Sequence, residues 1–359
     1  MGVSPIAVDF LSPMENNDHL YSGQTALVTG GGGFVGRAIV ERLTARGMRV
    51  RTLARCAYPE LAKLGVQAVQ GDLRDRRTVL AACHGCDVVF HVAARAGAWG
   101  RFVDFYEPNV IGTENVIAGC RQHGVGRLVF TSSPSVIFGG DDQTGIDESV
   151  GYPKRFASHY SATKALAEQL VLKANDRTLR TIALRPHLVW GPGDNHIVPR
   201  VVAQGRSGKL RIIGDGSQLV DVTYIDNAAD AHLCAFDAMM RNDAVGGRAY
   251  FISQGEPVKL WDIINGILEA ADLPKVTKRI PRGVAKTAAG AMECVHKILR
   301  LKGEPRLTRF VVEQMSTTHY FNIDAARRDL GYEPKVSTEE GLARLGAWFN
   351  ERGKTLRQP

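Results

Sequence analysis

Apolar residues in this chain come as short unbroken runs, each followed by a helical stripe. Ala26-Leu27-Val28 is such a run, and behind it Val35, Ile39 and Leu43 repeat at helical spacing until Gly47. The alternation recurs. Residues 48–53 read as a second strand and 66–69 as a third. Asp87-Val88-Val89-Phe90-His91-Val92-Ala93-Ala94 reads as a fourth, apolar on both faces as a central parallel strand must be. A helical pattern over 109–120, a fifth strand at 127–130, a helix over 160–174 and a sixth strand at 181–184 complete the series. This order predicts an α/β fold, a doubly wound parallel sheet of Rossmann type.

Beyond the sixth strand the pattern loosens. Trp190-Gly191-Pro192-Gly193-Asp194 is turn-rich, 221–225 reads as a return to the sheet, a helix follows from Asn227, and 250–253 reads as another strand. The expected organisation is an N-terminal tail at 1–22 and a cofactor domain at 23–190 with return segments near 220–255. A smaller, mostly helical substrate lobe takes 191–219 and 256–349, and a tail takes 350–359. The polar stretch 139–155 reads as a solvated loop, because Asp141, Asp142, Asp147 and Glu148 lack cation-site spacing. A basic segment, 275–306, holds Val284, Ala288, Met292, Val295 and Leu299 at helical spacing. It reads as a lid over an apolar pocket, a helix lying on a membrane surface, or a core helix with one solvated face.

Composition narrows the function. The chain has 359 residues, 44% of them hydrophobic, and a net charge of +8. No basic run is interleaved with aromatics, so no nucleic-acid partner is expected. Residues 1–22 carry Asp9, Glu15 and Asp18 and no Lys or Arg, so they do not read as a secretory signal. With six scattered cysteines the expectation is a cytoplasmic protein with free thiols. Cys83-His84-Gly85-Cys86 has no second ligand pair nearby, and no metal is expected.

Candidate chemistry begins at Thr29-Gly30-Gly31-Gly32-Gly33-Phe34-Val35-Gly36. Glycines at 30, 33 and 36 between a strand and a helix let the backbone turn tightly against a pyrophosphate at a helix N-terminus. At the end of the second strand, where an acid would bind a ribose 2′-hydroxyl, stand Ala54 and Arg55. An arginine pairs with a 2′-phosphate, so the cofactor expected is NADP, with NAD as the alternative. Asp72 ends the third strand, placed either to take the adenine amino group or to cap the next helix. Ser133, Tyr160 and Lys164 can move a proton beside a hydride. The lysine ammonium lowers the phenol pKa and holds the nicotinamide ribose, Ser133 steadies the carbonyl oxygen, and Tyr160 gives the proton. His91 reads as a core histidine. Arg95 and His187 follow the ends of strands four and six, where a cation would bind a substrate carboxylate.

These residues resemble the extended short-chain dehydrogenases/reductases: the glycine loop, Gly71-Asp72-Leu73, His91-Val92-Ala93-Ala94, Asn109-x-x-Gly112-Thr113, Thr131-Ser132-Ser133, Tyr160-x-x-x-Lys164 and Arg185-Pro186. Within them the chain is similar to the 3β-hydroxysteroid dehydrogenase-like branch, and to its members that reduce 2-alkyl-3-oxo acids in bacterial olefin biosynthesis. Tyr58-Pro59-Glu60-Leu61, Ala96-Gly97-Ala98-Trp99-Gly100, Trp190-Gly191-Pro192-Gly193-Asp194 and Gly303-Glu304-Pro305-x-Leu307-Thr308-Arg309-Phe310 carry that likeness. The resemblance implies cofactor contacts from Gly30, Gly33, Phe34, Gly36, Arg55, Asp72, Leu73, Ala93, Tyr160, Lys164 and Pro186, and substrate contacts from Arg95, Trp99, Pro134 and His187. It implies NADPH-dependent reduction of a lipid-like 3-oxo acid with two alkyl arms, beside the other enzymes of the pathway. A homo-oligomer and, from the basic helical segment, peripheral membrane contact are expected as well. His187 stands where the resemblance leads one to expect arginine. A 3β-hydroxysteroid or sterol-4-carboxylate 3-dehydrogenase, a nucleotide-sugar epimerase or dehydratase, and a non-catalytic NADP sensor are the other readings. The complete Ser133/Tyr160/Lys164 set speaks against the last.

Overall fold

The first apolar run becomes β1 (Thr25–Thr29), with Ala26, Leu27 and Val28 all at 0% exposure. Alternate side chains point to opposite faces of a strand. Accordingly Ala26 and Val28 enter one apolar cluster and Leu27 the other. In the computed structural model, which describes residues 21–301 and 303–355, β1 is flanked by β2 (Arg49–Ala54) and β4 (Val88–His91), both parallel to it. With β3 (Gln67–Gln70), β5 (Arg127–Thr131), β6 (Arg180–Pro186) and β7 (Arg248–Ile252) the sheet runs β7-β6-β5-β4-β1-β2-β3. Every pairing in it is parallel. Strand order reverses between β1 and β4, so their carboxyl ends open the crevice where this architecture binds ligands.

Helices α1 (Phe34–Ala45), α2 (Arg76–Cys83), α3 (Gly112–His123) and α4 (His159–Lys173) are the crossovers. The helix predicted from 109 enters α3 through a π-helical turn, Glu107–Ile111. Beyond β6 come α5 (Ile197–Arg206), α6 (Ile225–Arg241), which packs on α1 and the main sheet, α7 (Leu260–Ala270), α8 (Arg282–Ile298), α9 (Arg309–Ser316) and α10 (Thr338–Thr355). Cys83 and Cys86 sit in the apolar cluster containing Leu27. Among the described residues no helix is long and apolar enough to cross a membrane.

Three expectations are corrected. The stretch 139–155 is not all loop: Gln143–Ile146 forms the edge strand of a second, four-stranded sheet with His319–Phe321, Leu219–Val220 and Val258–Lys259. A polar segment suits an edge, where one side faces water. Its acids are used locally, Asp142 accepting from Thr318 N and Glu148 from Phe251 N. Residues 221–225 do not return to the main sheet. Asp221 is buried and accepts from Phe321 N at 2.8 Å, which fastens this segment to the second sheet. The C-terminal tail expected from 350 is occupied by α10 as far as Thr355. Of the N-terminal tail, Tyr21 is buried with its hydroxyl on Asp237. Residues 1–20 and 356–359 lie outside the described residues.

Of the three readings of the segment that carries α8, a core helix that buries the apolar stripe is excluded. The buried positions of α8 are Ala285, Ala289 and Glu293, and the Glu293 carboxylate accepts from Arg309 N and Nε on α9. The apolar stripe faces outward, with Val284 at 56% exposure, Val295 at 46%, Ile298 at 72% and Leu299 at 63%. Periodicity locates the stripe but not what covers it.

Candidate active site

Gly30 leaves β1 with φ +70°, and a Cβ there would meet Ala93 at 3.0 Å. A Cβ on Gly36 would stand 2.2 Å from the Gly30 carbonyl oxygen, so α1 can close on the turn only with glycine. Gly33 caps α1 without a side-chain hydrogen bond. That leaves first-turn N–H groups for an anion, beginning at Phe34. The Tyr58 ring lies against this loop, its Cδ2 2.1 Å from where a Gly32 Cβ would be. This cradle fits a dinucleotide pyrophosphate.

Arg55 is exposed just past β2 and makes no ion pair among the described residues. Asp72 does not cap α2; Asp75 does, accepting from Arg77 N. The Asp72 carboxyl is held below its ordinary pKa chiefly by hydrogen bonds from the Arg74 side chain, with a smaller contribution from Arg55. Leu73 is buried beneath this corner, Ala93 N donates to Thr29 Oγ1 at 3.2 Å, and Pro186 ends β6.

Ser133 follows β5 and its Oγ accepts from Ser135 N. Ser158 caps α4, accepting from Ser161 N, and so places Tyr160 and Lys164 on one helix face. Ser133 and Tyr160 line one cavity of about 360 Å³. Burial raises the Tyr160 pKa, and the Ser133 hydroxyl opposes that rise. Lys164 is 2% exposed; its Nζ donates to Thr131 O at 2.7 Å and sits 3.9 Å from the Phe130 ring centroid. Burial lowers its pKa to about 7, against the pull of Glu168. The expected ammonium-lowered phenol is therefore not found. Desolvation dominates both groups, and it keeps Tyr160 protonated, the form a proton donor needs.

Buried polar neighbours hold these groups. His232 Nδ1 donates to Ala228 O, so its Nε2 accepts from the Thr131 hydroxyl. His91 is a core histidine, bridging Thr29 and Thr113, and burial pushes its pKa down to about 3. Asn109 enters the sequence reading only as part of a family pattern. In the structure it accepts from Arg95 N and donates to Arg95 O and Thr163 Oγ1, tying the loop after β4 to α4.

Pro134 and His187 line the cavity, whereas Arg95 and Trp99 do not. Arg95 is exposed with its guanidinium over the Phe105 ring, and Trp99 packs edge-on to His296. His187 is no cation. Gln314 O can only accept, so His319 Nε2 donates to it and His319 Nδ1 accepts from His187 Nε2 at 2.8 Å. Burial holds the His187 pKa well below its ordinary value. The guanidinium that does line the cavity is Arg200 on α5, in the irregular region where no motif marks it.

Residues 27–282 match the model of the 3-beta hydroxysteroid dehydrogenase/isomerase family. A 2-alkyl-3-oxoalkanoate reductase from Stenotrophomonas maltophilia (strain K279a) is 51% identical over 89% of this chain and 98% of its own. One from Shewanella oneidensis is 48% identical over 90% and 85%. The human decarboxylating sterol-4-alpha-carboxylate 3-dehydrogenase is 34% identical over 88% and 86%. Among solved structures, MoeE5 in complex with UDP-glucose and NAD superimposes with a TM-score of 0.70 at 26% identity, over 91% of this chain and 99% of that one.

Proposed function

Because the chain belongs to the 3-beta hydroxysteroid dehydrogenase/isomerase family, we propose that it is an NADP(H)-dependent reductase that converts a 2-alkyl-3-oxoalkanoate to the 2-alkyl-3-hydroxyalkanoate. It is an oxidoreductase acting on keto and hydroxyl groups. The observation carrying the substrate reading is one cavity in which Ser133 and Tyr160 meet a wall of Leu188, Val201, Phe310 and Val311. Relatives of about half identity bear that reductase name.

Gly30, Gly33, Gly36 and the first turn of α1 would hold the pyrophosphate, Arg55 the 2′-phosphate, and Lys164 the nicotinamide ribose. The cofactor supplies the hydride when bound. Ser133 donates a hydrogen bond to the substrate carbonyl oxygen and fixes its place. Tyr160 gives its phenolic proton to that oxygen as the carbon is reduced. The apolar wall excludes water and takes the alkyl arms.

One panel tests this reading: a 2-alkyl-3-oxo acid and a 3-ketosteroid, each with NADPH and with NADH. Fastest turnover of the acid with NADPH is expected. Turnover of the steroid without reduction of the acid would transfer the reading to the sterol dehydrogenases, which share the machinery.

Cofactor choice has its own test. Arg55→Ala removes the cation beside the 2′-phosphate, so NADPH binding is expected to weaken by about 1.5–3 kcal/mol, the worth of one charge-assisted hydrogen bond. NADH binding, titrated alongside, is expected to be unchanged. Equal losses for both would show that Arg55 does not read the phosphate.

The outward stripe of α8 supports peripheral contact with an anionic lipid surface, since Arg282, Lys297 and Arg300 are exposed around it. Co-sedimentation with anionic vesicles is expected for the parent protein and lost in Val295→Glu/Ile298→Glu. A change in solution mass in that variant, without any vesicle binding by the parent, would assign the stripe to a second copy of the chain.

A further inference from the structure

We infer that Arg200 selects an anionic substrate, and that Glu304 is a built-in stand-in for the substrate carboxylate, fastening the cavity mouth until one arrives. This rests on the reductase reading and names a selecting residue outside those the sequence offered.

Among the described residues, Arg200 is the one guanidinium or ammonium group lining the cavity that holds Ser133 and Tyr160. Three histidines line it too: a hydrogen-bond chain and burial keep His187 and His319 neutral, and His196 is exposed beside Asp194. Arg200 is therefore the permanently charged partner that a carboxylate meets in this cavity. In the structure that partner is taken: Arg200 Nη2 donates to Glu304 Oε2 at 2.8 Å.

The other Glu304 oxygen does separate work. Oε1 accepts from Ala98 N at 3.2 Å. A Cβ on Gly97 would stand 2.7 Å from that oxygen, so the loop is pressed against the carboxylate. Gly97 and Ala98 line the cavity, as do Phe310 and Val311 on α9, which follows Glu304 in the chain. One carboxylate thus joins three walls: the loop after β4, α5, and the segment leading into α9.

That contact is suited to exchange. The two side chains are 60% and 32% exposed, and an ion pair so open to water is weak. An incoming carboxylate offers Arg200 an acceptor oxygen like the one Glu304 supplies, with its second oxygen also free to accept, and displaces Glu304. The mouth is released when an anion enters and refastened when it leaves. A neutral ketone gains nothing from Arg200 and does not release the mouth.

The test compares a 2-alkyl-3-oxo acid with its methyl ester, each with NADPH, in the parent protein, Arg200→Ala, Arg200→Lys and Glu304→Gln. Arg200→Ala is expected to lower kcat/KM for the acid about 10- to 100-fold, the equivalent of one charged hydrogen bond, mainly through KM. The ester is expected not to share that loss, and Arg200→Lys to restore part of it for the acid. Glu304→Gln keeps an acceptor for Ala98 N and removes the competing charge, so KM for the acid is expected to fall while that for the ester stays. Equal losses on acid and ester in Arg200→Ala, or a higher KM for the acid in Glu304→Gln, would overturn the inference and leave the reductase reading intact. A parent protein that reduces neither acid nor ester but does reduce a ketosteroid would overturn that reading and this inference together.

Discussion

Tyr160→Phe will bind NADPH nearly as tightly as the parent protein and will reduce ketone about 10²–10⁴ times more slowly, the range that positioned general acids supply. The substitution keeps the ring against the cavity wall and removes only the O–H. Burial holds the phenol above its ordinary pKa, so the parent donor is fully protonated at neutral pH, and the loss measured in the reductive direction is that of the proton itself. In the oxidative direction the same group must first lose its proton. Parent turnover of the hydroxy acid should therefore rise with pH while reduction does not. Ser133→Ala should cost less, since it removes a hydrogen bond and leaves the proton in place. Steady-state turnover beside a fluorescence titration of NADPH separates the effects. Near-normal turnover in the Tyr160→Phe variant would exclude Tyr160 as the acid.

The main sheet is legible because each of its central strands is buried on both faces, so each appears as an unbroken apolar run, and Ala26-Leu27-Val28 is the clearest. The glycine loop is legible because two of its contacts admit no side chain: Gly30 on Ala93 and Gly36 on the Gly30 carbonyl. The second sheet is not, since its four strands are two to four residues long and come from four separate segments. Spacing places Tyr160 and Lys164 on one face but cannot place the ammonium, which turns to the Thr131 carbonyl. His187 reads as a cation from its position after β6. Its state is set instead by His319, 132 residues away. Arg200 and Glu304, 104 residues apart, show the same limit. A strand or helix period describes neighbours in sequence, whereas a charge in a cavity is governed by whatever the fold brings opposite it.

The largest loss of stability is expected from Glu168→Gln. Glu168 and Arg185 are 0% and 4% exposed and meet through two bonds, Nη2 to Oε1 at 2.6 Å and Nε to Oε2 at 3.0 Å. Tyr152 also donates to Oε1, at 2.8 Å. The pair locks α4, which carries Tyr160 and Lys164, to the end of β6. Removing one partner of a buried pair leaves an uncompensated charge and costs about 3–5 kcal/mol. The midpoint of urea unfolding should fall accordingly, with an unchanged slope if the unfolded state is the same. Arg185→Met in the Glu168→Gln background should recover part of that loss, because the orphaned guanidinium is then gone. Glu168 also supports the Lys164 charge one helical turn away. Without it the lysine, already lowered to about 7, loses its proton at still lower pH. The ammonium is present below its pKa and lost as pH rises through it, so the alkaline fall in kcat/KM for NADPH should move to lower pH in Glu168→Gln. That displacement is the decisive readout. A Glu168 that served only to pack α4 would lower the unfolding midpoint and leave the pH profile where it was.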